Sequence, residues 1–249
     1  MSRRVWAILG ASSPIARAFA REAAATGASL VLAGRDIADM ERTALDLRVR
    51  GAASVAVVPW DAGDRPTQKA LVSALDVPAN DVLNLFVAVG SMPAQADIEA
   101  RPELIDEVVA SNYAATAFTI LCLLPALERR RAGSVVVLGS VAGDRGRASN
   151  FVYGSAKAAM ATFLQGLRAR LEPAGVKVVS VKLGFVDTGM TWGLLKGGPL
   201  VSTPESLGRR VFAFAAAGKA GEIYHSSLWF WIMAIIRNLP YAIFRRLPI

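Results

Sequence analysis

The chain has 249 residues and a formal net charge of +8, and hydrophobic residues make up 53% of it. This length fits one large α/β domain or two small ones, with enough residues to bury a sizeable core. A single Cys (Cys122) and a single His (His225) exclude an intrachain disulfide and a His/Cys metal cluster, and they favour a reducing, cytoplasmic location. The basic residues form no tract and accompany no nucleic-acid motif, so we do not expect nucleic acid as a partner.

Short β-rich runs alternate with longer helical runs along the whole chain. The predicted strands are 5–9, 29–33, 54–58, 82–89, 134–138 and 176–183, and the predicted helices are 13–26, 36–50, 64–75, 101–130, 152–172 and 204–217. Nearly continuous apolar strands indicate a sheet that is covered on both faces, and the alternation indicates βαβ units. We therefore predict an α/β fold of one domain, a Rossmann-type doubly wound parallel sheet flanked by helices on both faces. Ligands of such sheets bind at the carboxyl ends of the strands.

The first predicted strand ends in a glycine turn that leads directly into a helix. The turn contains Gly10, Ser12 and Ser13, and Pro14 and Ile15 follow. Free backbone N–H groups and the helix dipole at such a start favour an anion, and proline suits a first helical turn. The turn is therefore a candidate site for the phosphates of a nucleotide, although an ordinary strand–turn–helix connection has the same pattern.

Charged residues after the second and third strands bear on the kind of nucleotide. Dinucleotide folds that prefer NAD place an acid after the second strand, whereas this chain has Gly34 followed by Arg35. An arginine pairs well with a 2′-phosphate, so we expect NADP (NADPH) in preference to NAD. The alternative is a solvated Arg35 beside Asp36 as a helix N-cap. Asp61 follows the third strand and is placed either to accept an adenine amino group or to cap the next helix.

A group of polar residues predicts proton-transfer chemistry at the same edge of the sheet. Tyr153 and Lys157 are four residues apart in a predicted helix and so share one face. A free tyrosine has a pKa near ~10, and a neighbouring ammonium lowers that pKa toward the working range. Ser140 ends a strand and is placed to hold a carbonyl oxygen, and Asn112 lies inside helix 101–130. The alternative is a tyrosine at the core edge and a lysine on the helix surface.

These segments together resemble the short-chain dehydrogenase/reductase family in their order and spacing, over essentially the whole chain. The matching segments are GASSPIA near the N-terminus, Asn112, Ser140, YGSAK at 153–157 and LGFVDTGM at 183–190. The resemblance implies that Tyr153 is the catalytic acid/base and that Lys157 tunes it and binds the nicotinamide ribose. It also implies that Ser140 orients the carbonyl and that Asn112 supports a proton relay.

The resemblance extends to further cofactor contacts, with some departures. It implies that Thr188 and the backbone of Val186 hold the carboxamide, and it retains Gly90 from the family's Asn-Asn-Ala-Gly segment. Two family glycines are replaced by Pro14 and Ala16, so one phosphate-binding N–H is missing at Pro14. The family is oligomeric, so the resemblance also implies a homodimer or homotetramer formed through the long helices.

The end of the chain is apolar, aromatic and basic. We expect residues 1–222 to form the nucleotide-binding and catalytic domain and residues 223–249 to form a C-terminal extension. Arginines among aromatic side chains are typical of segments that lie in the lipid headgroup region, while the apolar run 228–236 is too short to span a bilayer. We expect peripheral contact with the inner face of the plasma membrane. Packing on the domain or on a neighbouring subunit is the alternative.

Two segments carry a narrower resemblance. GDRGRASNFVYGSAKA and IRNLPYAIFRRLPI resemble a subgroup of the family that reduces a keto-pentose linked to a polyprenyl phosphate. This resemblance implies a lipid-linked carbonyl substrate and a flavin-dependent oxidase partner that first oxidises the sugar hydroxyl. The alternatives are another apolar ketone of fatty-acyl, sphingoid or steroid type, and a non-catalytic nucleotide-binding scaffold.

Overall fold

The computed structural model describes residues 3–78, 80–191, 198 and 200–246. Within these residues the strands are β1 (Arg4–Leu9), β2 (Ser29–Gly34), β3 (Ser54–Pro59), β4 (Val82–Val87), β5 (Ser134–Ser140), β6 (Lys177–Leu183), β7 (Phe185–Val186), β8 (Val201–Ser202) and β9 (Gly221–Tyr224). The helices are α1 (Pro14–Ala24), α2 (Ile37–Val49), α3 (Arg65–Ala74), α4 (Gln95–Ala100), α5 (Leu104–Val109), α6 (Ala115–Arg130), α7 (Phe151–Leu171), α8 (Pro204–Ala216), α9 (Ser227–Asn238) and α10 (Tyr241–Phe244).

The main sheet has seven parallel strands in the order β3-β2-β1-β4-β5-β6-β9. The direction of winding reverses between β1 and β4, and a crevice for ligands forms outside the carboxyl ends of the strands at such a reversal. Strands β7 and β8 form a separate parallel pair. The predicted Rossmann-type doubly wound fold is confirmed.

Helices cover both faces of the sheet, and the alternation of side chains along β1 shows why. Ile8 belongs to the same apolar cluster as Phe19 of α1, whereas Leu9 belongs to the cluster on the other face with Leu123 of α6. A strand directs successive side chains to opposite faces, so an apolar run such as β1 needs both faces covered. The stretch Leu104–Arg130 is long and apolar enough to cross a membrane by length and composition, yet half of its most apolar window is buried inside the fold.

The structure departs from the sequence prediction in several places, which include the unpredicted short strands β7 and β8. The predicted helix 101–130 begins at Leu104 and contains a π-helical turn, Ala110–Ala114, between α5 and α6. The short helix α4 and strand β9 were not predicted, because β9 has only four half-buried residues and no alternating pattern. The C-terminal extension was placed from residue 223, whereas β9 runs to Tyr224 and the segment outside the sheet begins after it.

The extension packs on the domain through one side of α9. Trp229 and Met233 are buried in a cluster with Val141, which follows the end of β5. The rest of α9 exposes the large apolar side chains of Leu228, Phe230, Trp231 and Ile235, and α10 exposes those of Tyr241 and Ile243. Residues 247–249, at the end of the predicted extension, lie outside the described residues.

Candidate active site

A cleft of about 630 Å³ lies at the carboxyl ends of β1, β2 and β4. Its lining includes predicted nucleotide contacts from separate parts of the chain, namely Gly10, Ser12, Ser13, Arg35, Asp61 and Gly90. Parallel strands bring their carboxyl ends to one edge of the sheet, so residues far apart in sequence converge here. The volume is in the range of small-molecule and cofactor sites.

The glycine turn that lines the cleft after β1 has a conformation that other residues do not fit. Gly10 has φ +75°, and a Cβ there would lie 2.6 Å from the carbonyl oxygen of Ala88. Pro14 lies in the first turn of α1, as predicted, and Ser13, which was placed inside the predicted helix, is its N-cap. The Ile15 side chain is buried in the core, so only its backbone N–H remains for an anion. The first N–H groups of a helix have no acceptor within the helix, which makes this end suitable for phosphate.

The outer end of the cleft, after β2 and β3, carries an exposed arginine between two acids. The Arg35 side chain is 82% exposed, and its Nε lies 3.9 Å from Asp61 Oδ2. Asp36 caps α2, where its Oδ1 accepts the N–H of Asp39 at 2.9 Å. Asp61 Oδ1 accepts the N–H of Gly63 at 2.7 Å in the turn before α3. One oxygen of each acid is therefore engaged in a local turn, and Arg35 lines the cleft beside Asp61.

Gly90 joins the cleft to a buried polar cluster. A Cβ on Gly90 would lie 2.7 Å from Asn112 Oδ1 and 3.3 Å from Lys157 Nζ, so these two groups lie beside the cleft wall at this point. Asn112 lies in the π-helical turn, a feature that is frequent at functional sites. Its Nδ2 donates to the carbonyls of Ser91 at 2.7 Å and Val108 at 2.9 Å. Its Oδ1 is buried and has no hydrogen-bond partner among the described residues, which is unusual for a buried polar atom.

Lys157 is buried beside Tyr153, which excludes the alternative of a lysine on the helix surface. The residue is 6% exposed, and its Nζ lies 5.7 Å from the centre of the Tyr153 ring. Nζ also donates to the carbonyl of Leu138 at 3.4 Å. Burial lowers the pKa of Lys157 from 10.5 to about 8, because the charged form is poorly solvated inside the protein.

Tyr153 is also buried, at 7% exposure. Burial raises the pKa of its phenol, and the nearby Ser140 hydroxyl and Arg147 guanidinium partly oppose this. The expectation that Lys157 lowers this pKa is wrong for this structure, because desolvation of the phenolate is the largest effect. Ser140 lies at the carboxyl end of β5, where its Oγ accepts the N–H of Ala142 at 3.1 Å.

The predicted carboxamide contacts lie in the turn after β6. The Val186 carbonyl accepts the Thr191 hydroxyl at 2.5 Å, and the Thr188 N–H donates to the same Thr191 oxygen at 3.2 Å. Val186 is buried in the core cluster on the α1 face and Thr188 is half-buried. The structure thus places both residues in one tight turn, with their backbone partly engaged by Thr191.

His225, to which the sequence patterns assign no role, forms hydrogen bonds that support this turn. His225 Nδ1 accepts the N–H of Gly184 at 3.3 Å, and its Nε2 lies 2.6 Å from Ser202 Oγ. An acceptor at Nδ1 leaves the proton on Nε2, so the ring donates to Ser202. Burial and the neighbouring Arg210 lower the pKa of His225, which favours this neutral ring. His225 follows β9, the strand that the sequence pattern did not reveal.

Comparison with known proteins gives the family. Residues 4–197 match the model of the short chain dehydrogenases. An oxidoreductase of Mycobacterium tuberculosis, described as uncharacterized, is 33% identical over 248 aligned residues that cover 97% of this chain and 96% of the relative. The chain therefore belongs to the short-chain dehydrogenase/reductase family, and it is a nucleotide-dependent oxidoreductase.

Solved structures share the fold at lower identity. An actinorhodin polyketide ketoreductase solved with NADPH is 22% identical, with a TM-score of 0.78 and coverage of 90% of this chain and 97% of the other. A 3-oxoacyl-[acyl-carrier protein] reductase from Brucella melitensis solved with NAD is 23% identical, with a TM-score of 0.74 and coverage of 90% of each chain. At this identity the likeness shows the fold alone.

Proposed function

We propose that this protein is an NADPH-dependent ketoreductase whose proton donor is Tyr153. The observation that carries this proposal is the junction at Gly90, where the nucleotide cleft meets the buried groups of Asn112 and Lys157. Lys157 lies in turn beside the Tyr153 ring. A buried lysine beside a buried tyrosine is expensive for a fold to maintain, and perturbed groups at a cleft are typical of catalytic sites.

The cleft fits a nicotinamide dinucleotide. The Gly10 turn and the start of α1 would hold the pyrophosphate, Asp61 the adenine, and Lys157 the nicotinamide ribose. Val186 and Thr188 would hold the carboxamide. Asn112 Oδ1, which has no hydrogen-bond partner among the described residues, would accept a hydrogen bond from ordered water or a ribose hydroxyl at the inner end. When bound, the reduced cofactor supplies a hydride.

Side chains of the protein then orient the carbonyl group and supply the proton that its oxygen receives. The Ser140 hydroxyl donates a hydrogen bond to the substrate carbonyl oxygen and orients it beside the phenol. Tyr153 donates its proton to that oxygen as the carbonyl carbon gains a hydride, which converts the ketone to an alcohol. The Lys157 ammonium stabilises the phenolate that this transfer leaves, and Asn112 helps to return a proton from water. The raised pKa of Tyr153 keeps the phenol protonated at neutral pH, as reduction requires.

The position of Arg35 supports NADPH over NADH. Its side chain lines the cleft and is 82% exposed, with its Nε 3.9 Å from Asp61 Oδ2, while Asp36 Oδ1 is engaged as an N-cap. A guanidinium pairs with a phosphate through directed N–H groups, whereas it gains little from a ribose hydroxyl.

For the substrate, we propose a ketone on a sugar that is linked to a polyprenyl phosphate. The segments GDRGRASNFVYGSAKA and IRNLPYAIFRRLPI resemble those of decaprenylphosphoryl-2-keto-erythro-pentose reductase, which acts after a flavin-dependent oxidase. The exposed apolar side of α9 and α10, with Arg237 and Arg245 nearby, suits a lipid-bearing substrate at an anionic membrane surface. Another apolar ketone of fatty-acyl, sphingoid or steroid type is the second candidate.

The chemistry is tested by Tyr153→Phe. We expect purified wild-type protein to oxidise NADPH when it is given a polyprenyl-phosphoryl keto-pentose, and we expect the variant to lose about 10³-fold or more in kcat while it still binds NADPH. Activity retained in the variant would refute the role of Tyr153. NADPH binding without turnover on any ketone of a panel would favour a non-catalytic scaffold.

Membrane contact is tested separately with vesicles. We expect the protein to sediment with vesicles that contain anionic phosphatidylglycerol and not with pure phosphatidylcholine, and we expect Trp231→Ser to weaken this. Trp231 is exposed, so its loss should leave the fold intact. If the wild type and the variant both stay in the supernatant with either kind of vesicle, membrane contact is contradicted and packing of the extension on protein is favoured.

Self-association is proposed through the outer faces of α6 and α7. An apolar depression of about 620 Å³ lies between these helices, lined by Leu121, Leu124 and Phe163 among others, and Leu121 is exposed. Apolar depressions of this kind on a surface indicate a binding partner. We expect a dimer or tetramer by light scattering and dissociation by Leu121→Glu, and a monomeric wild type would contradict this.

A further inference from the structure

The loop between Ser140 and α7, residues 141–150, is held by the C-terminal segment. We name this stretch the catalytic loop, because Ser140 precedes it and Tyr153 follows it. Arg145 Nη1 donates to the carbonyl of Ile236 at 2.5 Å and to that of Leu239 at 2.6 Å. Its guanidinium carbon lies 3.9 Å from the centre of the Phe244 ring. The contacts span more than 90 residues of sequence.

These carbonyls are the ones that a helix leaves without partners. Ile236 lies in the last turn of α9 and Leu239 is the C-cap residue. No N–H group of the helix donates to its last carbonyls, and together these carbonyls form the negative end of the helix dipole. A guanidinium supplied from another segment satisfies them with charge-assisted hydrogen bonds, and the ring of Phe244 adds a cation–π contact.

The other end of α9 contacts the start of the same loop. Trp229 is buried in a cluster with Val141, the residue after Ser140. A Cβ on Gly184 would lie 2.0 Å from the Trp229 ring, so that ring fills the space over the turn after β6. Trp229 Nε1 also donates to the carbonyl of Leu200 at 3.1 Å. Helix α9 therefore touches the catalytic loop near both of its own ends.

A separate set of contacts ties the loop to the sheet. The fully buried side chain of Asp144 forms an ion pair with Lys182 of β6 and accepts the Tyr224 hydroxyl of β9 at 2.6 Å. Lys182 also pairs with Glu222 at 3.1 Å. Adjacent residues of the loop are thus held by different partners, Asp144 by the sheet and Arg145 by the tail. Loss of the Arg145 contacts alone should leave the loop attached but less restrained.

We infer that Arg145 is a positioning residue through which α9 and α10 hold the catalytic loop in its working geometry. This inference rests on the proposed reductase function, since it concerns the placement of Ser140 and Tyr153. Misplacement of reacting groups by about 1 Å is enough to lower a rate by about 100-fold. The residue touches neither the nucleotide cleft nor the Gly90 junction, so cofactor affinity should not depend on it.

The test compares Arg145→Met with Arg145→Lys and with a control, Arg209→Met. Arg209 is an exposed arginine of α8, and its Nε lies 3.6 Å from Glu22 Oε1. We expect Arg145→Met to lose about 10- to 100-fold in kcat for ketone reduction, with the dissociation constant of NADPH unchanged. Arg145→Lys, which keeps the charge but has no planar fork, should recover part of the loss. Arg209→Met should match the wild type.

Hydrogen exchange separates this inference from the proposed function. If the wild type reduces no ketone, the proposed function fails, but faster amide exchange in 141–150 of Arg145→Met would still support the positioning role. Unchanged exchange in the loop, or a kcat within twofold of the wild type, would overturn the inference. If Arg145→Met does not fold, Phe244→Leu removes the stacked ring alone. It should then show smaller changes in the same two measurements, and no change in either would also overturn the inference.

Discussion

The two ends of the nucleotide cleft are built in opposite ways. At the inner end Asn112, Tyr153 and Lys157 are buried, and burial shifts the pKa of both titrating side chains. At the outer end Arg35 extends into solvent and Asp61 is partly exposed. Buried groups interact through a medium that screens charge weakly, whereas exposed groups interact through water.

This difference indicates how the protein divides its tasks. The inner end needs a defined proton donor, and a rigid, dry environment sets its chemistry at a cost in stability. The outer end only has to distinguish two cofactors that differ by one phosphate, and an exposed arginine does this at little cost to folding. We therefore expect substitutions at the inner end to have large effects on rate and stability, and substitutions at the outer end to have small effects on affinity.

The largest effect is expected for Lys157→Met. Loss of the ammonium removes the partner of the phenolate, so kcat/KM for ketone reduction should fall by about 10³-fold. The folded protein should at the same time become more stable at pH 7, by up to about 3 kcal/mol, because burial depresses the pKa of Lys157 to about 8. Urea unfolding of both proteins measures this difference.

The sign of the stability change can be checked with pH. The folded pKa of Lys157 lies below the unfolded value, so the penalty for burying its charge is complete below about pH 8. It disappears as the pH rises toward the unfolded value of 10.5. The stability advantage of the variant should therefore shrink between pH 8 and pH 10. A variant that is less stable than the wild type at pH 7 would show that burial of Lys157 is not a cost.

The next effect is expected for Gly10→Ala. A Cβ at this position meets the Ala88 carbonyl at 2.6 Å in a backbone with φ +75°, so the turn must shift away from the phosphate position. We expect NADPH to bind about 10- to 100-fold more weakly, as measured by fluorescence titration.

Gly27→Ala is a matched control for this substitution. Gly27 has the same φ of +75°, but a Cβ there meets nothing within 4 Å. The control therefore carries the backbone strain, of about 1 kcal/mol, without the clash and away from the cleft. If both variants lose the same affinity, global strain and not the geometry of the turn is responsible.

Local sequence patterns are sufficient to predict part of the site. The strands, the Gly10 turn with Pro14 at the start of α1, and the placement of Ser140 at a strand end follow from short-range periodicity and helix-start chemistry. The spacing of Tyr153 and Lys157 shows that they share a face, but it does not show whether that face is buried. The direction of the Tyr153 pKa shift was wrong for this reason, because desolvation depends on the whole fold.

The features that were missed depend on contacts between distant segments. Arg145 donates hydrogen bonds to the carbonyls of Ile236 and Leu239, which lie more than 90 residues away in sequence. His225, which follows β9, accepts the N–H of Gly184, which follows β6. His225 stands in no motif, Arg145 stands only in the segment of the narrower resemblance, which implies no such contact, and β9 is too short for its period to be read. The single histidine of the chain, which lies at the start of the apolar C-terminal segment, was the one sequence feature that could have pointed to such a contact.

An intermediate effect is expected from pH alone. In the free enzyme kcat/KM for reduction should fall as the pH rises through about 8, where Lys157 loses its proton, by about tenfold for each further pH unit. Tyr153 should not produce this decline, since burial raises its pKa and keeps it protonated. A profile that stays level to about pH 10 would mean that the charge on Lys157 is not needed for the reaction.

The smallest effect is expected for Arg35→Ala, the one change here at the exposed end. The Arg35 side chain is 82% exposed, so its attraction for a 2′-phosphate is screened by water and salt. We expect a loss of about fivefold in NADPH affinity that fades at high ionic strength, with NADH affinity within twofold of the wild type.

Arg42→Ala is the control for this prediction. It removes an exposed arginine that pairs with Asp39 and does not line the cleft, so it should change neither affinity. An equal loss for both cofactors would end the assignment of Arg35 to the 2′-phosphate. A loss of 100-fold or more would show instead that the bound cofactor buries this arginine, and the contrast between the two ends of the cleft would then hold only for the free protein.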